Sequence, residues 1–245
     1  MELKSMGADR PSNDERSEGL RSLAHVNLAQ EAYGELKRGL MTGGFRPGAK
    51  LTIRDLASAM GISPTPVREA LVQLAAEGAL EQTAGRSFVV PQLDAESYED
   101  LRRLRELTEG EAAFRAAGLA TNKTIAELTR LHAHLIEAKN SADYRSALVW
   151  NQRFHLELAA AGGSRRLLRI VEGLWLQMGP LLNVLYEHRD VPSLGERHSH
   201  LTVIEALHNR DGAAAREAIQ ADIAGSATAI LGNLEAQDTP GGTKR

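Results

Sequence analysis

The sequence predicts a mainly α-helical protein in two parts, an N-terminal winged helix-turn-helix with a small β-hairpin wing and a C-terminal six-helix antiparallel bundle. Three observations predict it. Leu51 to Leu80 reads as two short helices around a glycine turn, which leaves the second helix free to project. From Ala95 onward the chain is amphipathic at helical period, with breaks near 121–123, 140–142, 162–164, 190–195 and 211–212 that mark off six helices of about 16 to 24 residues. The composition is 42% hydrophobic with only 4% aromatic residues, rich in Ala and Leu, and so favours helix.

Residues 1–25 carry Gly, Ser, Pro, Asp and Arg without apolar periodicity and read as a flexible arm. Between Leu28 and Thr42, Tyr33, Leu36 and Leu40 mark a first helix that Gly43 and Gly44 end. Arg46-Pro47-Gly48 fits a turn with Pro47 and Gly48 at the centre of type II geometry. Thr52 and Asp55 form a capping box, and Ile53, Leu56, Ala57 and Met60 share one face of the helix that Gly61 closes. Ser63 or Thr65 caps the next helix, with Pro64 or Pro66 in its first turn. Val67, Ala70, Leu71 and Leu74 give that helix its apolar face, and Gly78 ends it. The runs Leu80–Thr83 and Ser87–Val90 make a hairpin around Ala84-Gly85-Arg86, the wing. This divides the chain into an arm (1–25), a DNA-reading domain (26–91), a helical domain (92–236) opened by Asp94 as a cap, and a disordered tail (237–245).

The 245 residues include no Cys, which excludes disulfides, thiolate metal sites and cysteine nucleophiles. No apolar run approaches the ~20 residues of a membrane span, and no export signal opens the chain, so a cytoplasmic protein without a membrane partner is expected. The net charge of −3 is unusual for a nucleic-acid binder. Residues 29–91 hold seven Lys or Arg against six Asp or Glu, and residues 94–236 hold sixteen against twenty. The placement of cations, more than their number, must therefore carry DNA binding.

The segment from Ala29 to Val90 resembles the winged helix-turn-helix of GntR-family bacterial transcription regulators. Leu51-Thr52-x-Arg54-x-Leu56-Ala57, Gly61-Ile62-Ser63-x-Thr65-Pro66-Val67-Arg68-Glu69-Ala70-Leu71 and Leu74-x-x-Glu77-Gly78 carry the likeness. The helical remainder is similar to the FCD effector-binding domain of the FadR-like subfamily, through Arg105-x-x-x-Glu109, Asn151-x-x-Phe154-His155 and His200 followed by Ile204-Glu205-Ala206-Leu207. The resemblance implies DNA contacts at Arg54, Ser63, Thr65 and Arg68, and at Gly85 and Arg86 on the wing. Arg68 lies opposite Leu71 and Leu74, where a guanidinium pairs bidentately with guanine. Outside this motif, Arg54 and Arg68 would read as a solvated helix face. Pro64 stands where many relatives have Arg, and Ser87 where many have Gly.

In the helical domain, Asn151 and His155 lie one turn apart, His200 shares a face with Val203, Ile204 and Leu207, and Asp222 lies beside Ile219 and Ile223. The resemblance implies a divalent metal at these four positions, normally one carboxylate and three His. Here Asn151 replaces the acid and Asp222 the last His. Fewer imidazoles soften a preference for zinc or nickel and favour a harder ion such as manganese. The alternative is a metal-free hydrogen-bond network that holds the bundle or binds an effector directly. The resemblance places Arg105 in the effector pocket with Glu109 beside it, suited to a carboxylate or phosphate; the alternative is an ordinary surface ion pair. His132, His134, His188, His198 and His208 show no comparable constellation and read as surface or interhelix residues, and Phe154, Trp150, Trp175 and Met178 as core.

A ligand-responsive regulator follows, a repressor that binds a palindromic operator as a homodimer and answers to a small organic acid. The competing reading, a metal-dependent hydrolase or lyase with His155, His200 and Asp222 activating water, lacks an HExxH, a nucleophile motif and a phosphate loop. A winged helix used only for protein contacts is a third, minor option.

Overall fold

The computed structural model describes residues 28–83, 87–187 and 198–238. The expected arm, the wing tip with Gly85 and Arg86, the break at 190–195, His188 and the tail beyond 238 lie outside the described residues.

Helix α1 (Leu28–Met41) turns Ala32, Tyr33, Leu36, Leu40 and Met41 inward, and Gly43 follows it at φ 67°, a left-handed value that glycine adopts without strain. Gly48 takes φ 76° and the Ala49 N–H donates to the Arg46 carbonyl at 3.0 Å, closing the expected turn. Thr52 caps α2 (Ile53–Met60): its hydroxyl oxygen accepts from the Asp55 N–H at 3.2 Å. The hydroxyl donates in turn to the Asp55 carboxylate at 2.6 Å. The capping box is thus closed between side chains, without the return bond to the Thr52 backbone. Gly61 ends α2 at φ 66°, its left-handed twist redirecting the chain into α3 (Pro64–Ala76). Ser63 is the N-cap of α3 and Pro64 its first residue, and the Ser63 side chain makes no cap hydrogen bond. Val67, Ala70, Leu71 and Leu74 are buried, as their spacing requires.

The wing gains a strand that the sequence reading lacked. Strand β1 (Lys50–Leu51) pairs antiparallel with β3 (Phe88–Val89), which also pairs with β2 (Glu81–Gln82), in the order β1-β3-β2. Leu51 faces Phe88 across β1 and β3, and both are buried, so the pairing seals the edge of the domain core.

Six helices follow: α4 (Ala95–Leu119), α5 (Asn122–Asn140), α6 (Tyr144–Ala161), α7 (Arg165–Glu187), α8 (Ser199–His208) and α9 (Gly212–Asp238). Asp94, Thr121 and Asp143 cap α4, α5 and α6 with side-chain oxygens. Two lengths depart from expectation. Helix α9 runs to 27 residues, whereas α8 has only 10 because Arg210, at φ 58°, turns the chain back after one short pass. Helices α4 and α9 lie close together because small residues line the contact. A Cβ on Gly110 would sit 3.0 Å from Gln220 Nε2 and 3.2 Å from Arg216 Cγ, and Ala113, Ala116 and Ala117 face Ala215 and Ala218 in one buried cluster.

The two parts share a core. One apolar cluster runs from Leu36, Leu40 and Leu71 through Tyr98 and Leu101 to Trp175, Leu176 and Ile230. Helix α7 crosses the end of α1 so closely that a Cβ on Gly179 would lie 2.1 Å from the Leu40 carbonyl oxygen. Lys37 and Glu172 pair across the same contact at 2.6 Å.

Adjacent residues of α3 test this packing. Leu71 is 0% exposed and Val72 49% exposed. Leu71→Ala lowers the unfolding free energy by about 2–5 kcal/mol in a urea titration, whereas Val72→Ala changes it by less than about 0.5 kcal/mol. Equal effects would mean that α3 is not seated as described.

Candidate functional site

Helix spacing places Arg105 and Glu109 on one face of α4, and that face points into the domain. Their side chains are only 4% and 2% exposed, so the alternative of a surface ion pair is overturned. The Arg105 Nε–H donates to Glu109 Oε1 at 2.7 Å, and the guanidinium lies 4.6 Å above the Trp175 ring of α7. Glu109 Oε2 accepts from His155 Nδ1 on α6 at 2.6 Å. Glu109, expected to flank an effector, is therefore engaged on both oxygens by protein groups.

The other ring nitrogen of His155, Nε2, lies 3.2 Å from Asp222 Oδ2 on α9, but the alignment is too poor for a hydrogen bond. The same carboxylate oxygen is 3.6 Å from His200 Nε2 on α8. Three of the four residues predicted as metal ligands, His155, His200 and Asp222, thus converge, with donor atoms within 4.8 Å of one another. Asn151 is half-buried one turn before His155 and makes no hydrogen bond to these three side chains. The Phe154 ring stacks on His200 at 3.6 Å and fixes its plane.

Two histidines read as lacking a constellation belong here, which corrects the sequence reading. His132 on α5 is buried, and His198 is the N-cap of α8. Together with His200 they form a second group of ring nitrogens within 4.8 Å of one another. A local signal existed for His132, which shares the face of buried Leu128, Leu131 and Leu135; its meeting with α8 is a long-range contact that spacing does not encode. His134 instead stacks on Trp150 at 4.6 Å, and His208 is exposed.

The electrostatics follow from this arrangement. Burial by itself would raise the Glu109 carboxyl, but Arg105 and then His155 outweigh it and hold the group ionised. Burial likewise opposes a charge on His155, yet Glu109 and Asp222 on either side raise its pKa. For Asp222, burial raises and the neighbouring His200 and His155 lower, leaving the carboxyl well below its usual range. Burial pushes His200 down to about 4 and His198 to about 3, so both rings are neutral. Burial also lowers His132.

This donor set fits a divalent cation. His155 Nε2, both nitrogens of His200 and His132 Nδ1 are buried with no hydrogen-bond partner among the described residues, and orphaned buried polar atoms require an explanation. The spacings of 3.2 and 3.6 Å between Asp222 Oδ2 and the two rings resemble the ~3.4 Å between donors around a tetrahedral cation with ~2.1 Å bonds. Glu109 on His155 is the carboxylate that typically orients a metal-binding imidazole from behind.

In the N-terminal part of the chain, Arg54, Ser63, Thr65 and Arg68 are all exposed. Among the described residues neither Arg54 nor Arg68 has a carboxylate partner. The N-terminal end of α3 therefore presents the hydroxyls of Ser63 and Thr65 and the Arg68 guanidinium, which has no carboxylate partner among the described residues. No helix among the described residues is long and apolar enough to cross a membrane.

Comparison with known proteins agrees with this architecture. Residues 28–90 match the gntR family of bacterial regulatory proteins, and residues 100–225 match the FCD domain. The chain is 31% identical over 214 residues to the HTH-type transcriptional regulator McbR of Escherichia coli strain K12, covering 87% of this chain and 96% of that protein. It is 25% identical over 193 residues to the HTH-type transcriptional repressor RspR of the same organism, covering 78% and 83%. The solved structure of E. coli McbR/YncC superposes with a TM-score of 0.78 at 30% identity, covering 88% of this chain and 100% of that one. These relatives are transcription regulators, not enzymes, which removes the hydrolase reading. The chain belongs to the GntR family of bacterial transcription regulators, with an FCD effector-binding domain behind its winged helix-turn-helix.

Proposed function

We propose that this regulator is a cytoplasmic repressor that binds a palindromic operator as a homodimer and answers to a small carboxylate metabolite held in its helical domain. The observation that carries the DNA reading is the free N-terminal end of α3. Arg68 is exposed there without a carboxylate partner among the described residues, and the Ser63 hydroxyl is not used as a cap. In this reading Arg68 contacts base edges, Arg54, Ser63 and Thr65 hold the phosphates, and Gly85 and Arg86 of the wing follow the adjoining groove. One short recognition helix reads few bases, so two copies read half-sites about 34 Å apart. Leu104 and Leu107 of α4, 50% and 66% exposed, support pairing of two helical domains. The name of the relative RspR supports repression.

The effector reading rests on the buried centre. His155, His200 and Asp222, with Asn151 alongside, hold a divalent cation (Zn, Ni or Mn), and a bound cation supplies a Lewis-acidic partner for a carboxylate. Arg105 spends its Nε on Glu109 and offers the rest of its guanidinium to the same acid. An effector changes DNA affinity only through its preference for one arrangement of the two domains.

Two measurements test this reading. Arg68→Ala removes sequence-specific binding to DNA fragments selected by the wild-type protein, a loss of about 1–3 kcal/mol per base contact at fixed salt, while circular dichroism is unchanged. Retained specificity would sink the assignment. Protein purified without chelator carries about one divalent cation per chain, and His200→Ala and Asp222→Ala each lose it. A wild-type protein without metal after reconstitution would contradict the cation and leave the polar network to bind the acid directly.

A further inference from the structure

We propose that His132 and His198 belong to the cation centre: with His200 they form a three-imidazole face and supply the ring nitrogens that residue 222, an aspartate, does not. This inference rests on the reading that the helical domain holds a divalent cation. The rings arrive from different elements, His132 from α5 and His198 and His200 from the start of α8. Their centroids are separated by 5.2 Å (His132–His198), 5.7 Å (His132–His200) and 4.4 Å (His198–His200). One nitrogen of each ring lies within 4.8 Å of the other two.

Each ring is differently prepared. His132 Nδ1 and both nitrogens of His200 are buried and unpaired among the described residues. His198 Nδ1 is committed, accepting the backbone N–H of His200 at 3.1 Å. It also lies 3.8 Å from Asp222 Oδ1. The Asp222 carboxylate therefore turns one oxygen to His155 and His200 and the other to His198. The two groups of donors share His200, and the Asp222 carboxylate reaches His198 as well, so we take them as one centre around one cation. His198 joins it by exchanging its cap bond for a bond to the ion, since a neutral hydrogen bond is weaker than a metal–imidazole bond. A shell with three or more imidazoles selects a borderline ion such as zinc, cobalt or nickel over manganese.

X-ray absorption spectroscopy on the zinc- or cobalt-loaded full chain counts the imidazoles directly, and a competing chelator reads the affinity. The variants are His132→Phe, which fills the buried site without a donor, and His198→Asn, which keeps a good N-cap oxygen and removes the ring. The wild type shows four imidazoles, those of His132, His155, His198 and His200. Each variant loses one of them and binds at least about tenfold more weakly. Should His132→Phe fail to fold, His198→Asn decides alone, because its cap is preserved. A wild-type shell of fewer than four imidazoles, or a folded variant that leaves the imidazole count and the affinity unchanged, overturns this inference and leaves the cation reading standing. A wild type that takes up none of zinc, cobalt, nickel and manganese overturns both.

Discussion

The helical domain depends on a carboxylate that water barely reaches. Glu109, 2% exposed, is bonded on one oxygen by Arg105 of its own helix and on the other by His155 of α6. Taking such charges out of water costs several kcal/mol per ion, and removing one partner of a buried pair costs about 3–5 kcal/mol. Such a buried carboxylate persists only where its oxygens are satisfied, and both oxygens of Glu109 are. Beyond His155, the Asp222 carboxylate lies 3.2 Å from its free ring nitrogen and 3.6 and 3.8 Å from the neutral rings of His200 and His198, so four helices, α4, α6, α8 and α9, meet around these groups. They end in ring nitrogens without partners among the described residues, and a buried network that stops short is a site for something else.

The same groups touch the route to the DNA-reading domain. Trp175 of α7 carries Arg105 on its face and stands 5.1 Å from the His155 ring. One turn further along α7, Gly179 meets the backbone of Leu40 and Met41 at the end of α1. Tyr33 of α1 donates in turn to the Glu77 carboxylate at the end of α3 at 2.8 Å. Packed contacts therefore run from the buried centre through α7 and α1 to the recognition helix. Such continuity makes coupling between the sites physically available; only a change of DNA affinity with the state of the centre demonstrates it.

Legibility in the sequence followed the range of the interaction. The recognition helix was readable because its signals are local: Gly61 and Gly78 at left-handed φ, Pro64 in the first turn, and an apolar face that repeats at helical period. Arg105 and Glu109 share a face with Ala112 and Ala116, which leans inward as that spacing suggests, whereas their partners His155 on α6 and Trp175 on α7 come from elsewhere in the chain. His155, His200 and Asp222 were named through family likeness, and their convergence depends on three helices folding together. His132 and His198 escaped because no spacing within α5 or at the start of α8 announces that the two elements pack. Strand β1, two residues long, is too short to show a period and exists only through its pairing with β3.

In the proposed regulator, the buried centre of the helical domain sets how tightly the winged helix holds DNA. The most direct test is fluorescence anisotropy of a DNA fragment selected by the wild-type protein, titrated at fixed salt with protein whose cation content has been measured. Cation-free protein is compared with protein loaded with zinc and then with small organic acids. Operator affinity shifts by about 5- to 150-fold between these states, and Glu109→Gln reduces the shift. Equal affinity in every state, with the centre demonstrably filled, would contradict this.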